Sequence, residues 1–251
     1  MSEPLLISRA EGVCELRFNR PEKRNAITHA MYEALYRGLR EAHADAAVRV
    51  VLFSGEGAAF CAGNDLNDFL SGPEFSSDHP VMGFLHTLAT FEKPLVAAVQ
   101  GQAVGIGVTM LLHCDLVVAA RTAQLSMPFV NLGLVPEAAS SLLLPRLVGQ
   151  QRAAELLLLG QPFDAITAHT LGLVNRLVEE AALLAEARSL AQALAQKPQA
   201  ALLATRRLLR AGTGELSARI DAEARLFGAR LRSEEFREAV RAVLSRGRAG
   251  S

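Results

Sequence analysis

Cysteine is scarce in this chain and poorly placed for either of its structural uses. There are three, Cys14, Cys61 and Cys114, an odd number set far apart with no CxxC pair. That excludes a disulfide framework and a zinc ribbon and fits a reducing compartment, so a cytoplasmic location is expected. Long apolar runs are missing too: Arg, Gln or His interrupts every candidate before it reaches the roughly 20 residues of a bilayer span. The opening MSEPLLISRAEGVCELRF has neither the basic and apolar regions of a signal peptide nor the Arg- and Ser-rich, acid-poor character of a transit peptide. There is no excess of either charge. Lys plus Arg and Asp plus Glu both number 26, which argues against nucleic acid or a membrane surface as the main partner. The six histidines show no ligand spacing, so no metal site is expected; GxSxG is absent, and no Gly-Lys-Ser/Thr follows a glycine-rich loop.

What remains is an apolar chain able to bury a large core. Half of its 251 residues are hydrophobic and 21% are charged, which suits one large domain or one domain with a small appendage. LLISRAEGVCELRF reads as a hairpin turning at Glu11-Gly12. THAMYEALYRGLREAHAD has helical spacing, with Met31, Leu35, Leu39 and Ala42 on one stripe and Thr28 as N-cap. VRVVLFSG, KPLVAAV and LVVAA read as buried strands, and GVTMLLHCD as a helix between the last two. Strands alternating with helices predict an α/β core with crossover connections. Beyond about residue 145 the strand signal fades into Ala-, Leu- and Arg-rich helical segments. Arg206, Arg207 and Arg210 are expected on a solvated or interface face.

Three stretches are candidates for chemistry. In GEGAAFCAGNDL, Gly63 permits a backbone bend that bares the amide of Asn64, and Asp65 suits a turn or helix cap. In VQGQAVGIGVTM, glycines leave a strand and enter a helix, whose first N–H groups are free and suit a phosphate or an oxyanion. A dinucleotide fingerprint is weak there, since Met110 stands where GxGxxG needs its third glycine. His113, Cys114 and Asp115 are sequence neighbours that point apart on a helix, so core and cap roles are expected of them rather than a triad. In NLGLVPE, Glu137 is either an ordinary first-turn charge or a working acid or base.

The segments RPEKRNAIT, AFCAGNDL, KPLVAAVQGQAVGIGVTMLLHCDLVVAA and MPFVNLGLVPEAASSLLLPRLVG together resemble the crotonase family, the enoyl-CoA hydratase/isomerase superfamily, over about residues 5–235. The resemblance implies an α/β fold with a spiral core of ββα units over residues 1–195, and a helical region at 196–251 that serves oligomerisation. It implies an acyl-CoA thioester as substrate, no separate cofactor, and a homotrimer or a dimer of trimers. The thioester oxygen is expected between the amides of Asn64 and Ile106, with CoA along Arg24, Ala26 and Ala62. Asp65 is expected to hold the turn. The acyl pocket is expected to include Leu66, Phe69, Phe129 and Leu132, with Leu70, Phe84 and Leu85 further candidates. Many relatives end in a Phe-x-Glu-Lys-Arg-x-Pro stretch that helps to hold CoA. Here the end is AVLSRGRAGS, where Arg246 or Arg248 could replace that lysine or belong to a frayed tail.

The same resemblance narrows the reaction. Hydratases of this family carry two glutamates; the matching positions here are Thr109 and Phe129, which cannot activate water between them. Glu137, in LGLVPEAASS, matches the single glutamate of Δ3,Δ2-enoyl-CoA isomerases. The expected activity is therefore a shift of the double bond from 3-enoyl-CoA to 2-trans-enoyl-CoA by one carboxylate, with Phe129 keeping the site dry. The alternatives are a hydratase with altered residues, a thioester hydrolase, and a non-catalytic CoA- or RNA-binding relative. An apolar surround should raise the pKa of Glu137, whereas a nearby helix N-terminus should lower it.

Overall fold

The structure, a computed structural model, describes residues 3–71, 79–210 and 213–249. Glu11 and Gly12, at φ 52° and 81°, close the hairpin of β1 (Leu5–Ala10) and β2 (Val13–Phe18), a turn with both central residues left-handed. The hydroxyl of Thr28 accepts from Met31 N at 3.3 Å and starts α1 (His29–Ala44). There follow β3 (Val50–Gly55), α2 (Leu66–Ser71), α3 (Pro80–Thr90), β4 (Leu95–Val99) and β5 (Gln102–Val104). Next is α4 (Ile106–Thr109), which tightens at once into a 3-10 helix at Met110–His113. After β6 (Leu116–Ala120) and β7 (Gln124–Ser126) come a 3-10 turn at Val130–Leu132, α5 (Ser140–Val148) and α6 (Gln150–Ala154). A π-helical turn at Glu155–Leu159 leads to β8 (Phe163–Asp164), α7 (Ala165–Thr170) and β9 (Arg176–Val178). The chain ends in α8 (Leu183–Ala195), α9 (Gln199–Leu209), α10 (Thr213–Leu231) and α11 (Glu234–Ala249).

The strands form a six-stranded sheet in the order β1-β2-β3-β4-β6-β9, parallel except for the β1–β2 hairpin, and a small sheet in the order β5-β7-β8. Alternation sorts the side chains of the large sheet between two layers. Val50, Leu52, Val96 and Val118 face Leu183, Ala187, Ala191 and Ala195 of α8. Val51, Phe53, Val99 and Val117 join the core built with α1 and α3. Small residues at every fourth position of α8 let it lie close on the strands.

The α/β class and the elements expected from periodicity are present. Four short strands were not foreseen: β5, β7, β8 and β9 have two or three residues each, too few to show alternation. GVTMLLHCD is also less regular than a plain helix. The expectation for the arginines is corrected. Arg206 is 7% exposed; its Nε meets Asp115 Oδ2 at 2.8 Å and its Nη1 donates to Phe91 O at 2.5 Å. Arg210 Nε lies 3.3 Å from the same carboxylate, and only Arg207 is exposed. A half-buried acid, Asp115, therefore draws two of the three inward. Among the described residues no helix is long and apolar enough to cross a membrane.

Candidate active site

Two loops from different strands are stitched together at the centre of the molecule. Phe60 N donates to Gln100 O (2.9 Å), Cys61 N to Gln102 O (3.1 Å) and Val104 N to Cys61 O (2.9 Å). Gly107 allows this closeness, since a Cβ there would stand 2.6 Å from Cys61 O. Gly105, at φ 54° and ψ −117°, turns the chain into α4 in a conformation that other residues avoid. Just past each bend comes one of the two expected oxyanion residues. Among the described residues, neither the Asn64 amide nor the Ile106 amide has an acceptor. Asp65 holds the first loop as expected: it pairs with Arg20 at 3.1 Å, and its Oδ1 accepts from Asn67 N at 3.2 Å.

A cavity of about 430 Å³ opens between these loops and is lined by Ala62, Asn64 and Ile106. Leu66, Phe69, Phe129 and Leu132, expected in the acyl pocket, all line it. Leu85 lines a small adjoining chamber of about 20 Å³. Leu70 and Phe84 are corrected: Leu70 is exposed on the outer side of α2, and Phe84 is sealed in the core against Tyr32. Arg24 and Ala26 do not line the cavity. They form the loop behind it, where Arg24 O accepts from Ala62 N at 2.9 Å. The side chains of Arg246 and Arg248 lie outside the described residues; the backbone there continues α11.

The small chamber shares Asn64, Phe69 and Phe227 with the main cavity, and Glu137 lines it. Glu137 is 7% exposed. Burial pushes its pKa to about 8, the nearby charge of Glu223 adds to the rise, and a hydrogen bond from Thr109 opposes it. That bond, from Thr109 Oγ to Glu137 Oε1, is 2.5 Å long. Thr109, noted in the sequence only as lacking a carboxylate, thus holds the carboxylate that is present.

Glu137 is not the first-turn residue that one reading of the sequence allowed. Helix α5 begins three residues later, and its free amides are taken by Glu223 of α10. Ala139 N donates to Glu223 Oε2 at 2.7 Å and Ser141 N to Oε1 at 3.0 Å. With those amides occupied, burial wins the contest over the pKa of Glu137. The cost appears in the backbone, because Ala138 and Ala139 are both left-handed (φ 58° and 55°), at roughly 1–2 kcal/mol each. His113 Nε2 bonds Ala138 O at 2.7 Å and pins the same turn. Its pKa is lowered to about 4, chiefly by burial, so the ring is neutral and Nε2–H is the donor. The core role expected of His113 holds, and Asp115 serves the ion pairs described above.

The helices expected to serve assembly also roof the cavity of their own chain, through Phe227, Leu231, Phe236 and Val243. The sequence carried a signal for part of this, since Ile220, Ala224, Phe227 and Leu231 recur at helical spacing. Glu223 and Tyr32 carried none. Tyr32 Oη donates to Asn64 Oδ1 at 2.6 Å beside Glu137. Among the described residues no three His, Cys, Asp or Glu side chains gather as a metal site requires.

Comparison with known proteins places the whole chain. The family model described as "Enoyl-CoA hydratase/isomerase" matches residues 8–249. A 1,2-epoxyphenylacetyl-CoA isomerase of Escherichia coli is 36% identical over 98% of this chain and 97% of its own. An enoyl-CoA delta isomerase 2 of Rattus norvegicus is 35% identical over 98% of this chain and 64% of its own length. Among solved structures, OdaA of Pseudomonas aeruginosa superposes with a TM-score of 0.93 at 48% identity, covering 96% of this chain and 99% of that one.

Proposed function

The chain belongs to the enoyl-CoA hydratase/isomerase family, and from that premise we propose that it is a Δ3,Δ2-enoyl-CoA isomerase with Glu137 as its single acid–base group. The observation that carries this reading is exclusive: among the described residues, Glu137 is the only carboxylate lining either chamber. The thioester oxygen accepts from the amides of Asn64 and Ile106, which are free for it. As the Glu137 carboxylate removes a proton from C2, negative charge moves onto that oxygen. Two fixed N–H groups stabilise it, each worth about 3 kcal/mol in comparable sites. The same carboxyl then returns its proton to C4. Water has no part in this, and the positions of the two hydratase acids hold Thr109 and Phe129. A base with a pKa near 8 is stronger than an ordinary carboxylate, yet part of it is ionised at neutral pH.

Assembly as a homotrimer or dimer of trimers belongs to this reading. Leu158 and Leu159, 65% and 58% exposed at the end of the π-helical turn, support an apolar contact there. A second reading is favoured by the reciprocal coverage of the E. coli relative, namely isomerisation of an epoxidised arylacetyl-CoA through the same carboxylate. Product analysis with 3-enoyl-CoA, 2-enoyl-CoA and an aryl epoxide thioester separates the two. Glu137→Gln is expected to lower kcat for 3-enoyl-CoA by about 10³-fold or more while CoA-ester binding persists. Turnover at the wild-type rate in that variant would end the assignment.

A further inference from the structure

We propose that Glu223 is a positioning residue for Glu137, tying the loop that carries the base to the helix that roofs the cavity and holding a second negative charge behind it. The inference rests on the assignment of Glu137 as the base. Three donors converge on Glu223: Ala139 N at 2.7 Å, Ser141 N at 3.0 Å and Ser141 Oγ at 2.5 Å. Both carboxylate oxygens accept, the pattern of an ionised group, and these three bonds oppose the burial that pushes its pKa upward. The side chain is 5% exposed, so this charge is held inside the protein.

A plain helix cap would not need this arrangement. Ser or Asp at the N-cap of α5 would do the same locally, but the N-cap is Ala139, which has no side chain to donate or accept. The cap comes instead from α10, across the interior. On that helix Ile220, Ala224 and Phe227 line the chamber of Glu137, and Glu223 lies on the same face one turn away. Phe227 also lines the main cavity. One helix therefore grips both the acyl site and the two left-handed residues that follow the base.

The groups around Glu137 leave Glu223 as the charge that matters. From α4 comes the neutral Thr109. From α1 comes Tyr32, whose phenol is raised well above its usual range by burial, and from the first glycine loop Cys61, pushed up to about 12 for the same reason. His113 is neutral behind Ala138. Arg219, on α10 itself, partly offsets the charge of Glu223. Replacing Glu223 by Gln removes that charge and also at least one of the three bonds, since an amide nitrogen cannot accept.

The test is Glu223→Gln, an isosteric change. Protein labelled with 13C at the glutamate carboxyl carbons is titrated by NMR without substrate, the Glu137 signal being the one that Glu137→Gln removes. The midpoint is expected at lower pH in E223Q than in wild type. With the thioester that the enzyme turns over, kcat is expected to fall roughly tenfold to a hundredfold, the usual cost of a slightly misplaced catalytic group, at nearly constant KM. A lowered melting temperature with an unmoved midpoint means a structural cap only and overturns the proposal. Should E223Q not fold, Ser141→Ala keeps the charge and removes the shortest of the three bonds. It is expected to lower kcat without lowering the midpoint, and wild-type kcat in S141A is equally fatal. If E137Q keeps turnover, the assignment of the base fails instead, a separate result.

Discussion

Glu137 is held neutral by burial at a pH where glutamate in water is fully charged, and this has a thermodynamic side. Its pKa is about 8 when folded against an ordinary 4.5. Between those values the unfolded chain releases the proton while the native state keeps it, so stability falls as pH rises through that window and levels off above it. Gln cannot ionise. E137Q should therefore match wild type in melting temperature near pH 4 and exceed it at pH 8 and above, by up to a few kcal/mol, a difference read by thermal denaturation across pH. The hydrogen bond from Thr109 favours the charged form. Thr109→Val should then move the acidic limb of kcat/KM, expected near pH 8, to higher pH, the opposite of the shift expected for E223Q. Much of this site was legible in the sequence. The bends at Gly63 and Gly105 could be read from the residues alone, whereas the choice of two amides and one acid as the working groups came from the resemblance to the family. The partners of that acid were not legible, because a threonine and a distant glutamate carry no mark of the contacts that tertiary folding gives them.

At the scale of elements, long periodic segments declared themselves and short ones did not. Helix α1 spans 16 residues and buries the stripe read from its spacing. Strand β5 has three residues, which its sequence cannot distinguish from loop, yet the chain there carries the stitch between the two glycine loops. Gly107→Ala tests that stitch. Its Cβ would meet Cys61 O at 2.6 Å and must push α4, with the Ile106 amide, away from Asn64. A displacement near 1 Å costs roughly a hundredfold, so G107A should lose kcat on that scale while far-UV circular dichroism stays native. The misplaced expectation for Arg206 has the same origin. Arginines at helical spacing look solvated, and only the position of Asp115 at the foot of β6 turns two of them inward.

For the whole molecule, the α/β core was legible because both faces of the large sheet are covered and its strands read as continuous apolar runs. The placing of α10 and α11 was not, since an amphipathic helix shows which face is buried but not against what. Their apolar faces close the main cavity. A chain ending before Ser233 should therefore keep the sheet and α10 and lose the part of the roof that α11 supplies through Phe236, Ala239 and Val243. Its KM for an acyl-CoA is expected to rise about tenfold or more, as burial of several apolar side chains is forfeited, and a dye that reports exposed apolar surface should bind it.

The stitched glycine loops also bear on how such a protein changes over generations. On the function proposed above, what they offer the substrate is main chain, so most substitutions at positions 64 and 106 would leave the offer standing. The acid is a side chain, and at positions 109, 129 and 137 it can be gained or lost one codon at a time. On that reading, descendants of such a chain would inherit the means of stabilising an enolate and could diverge in what is done with it, without passing through an ancestor unable to bind the thioester.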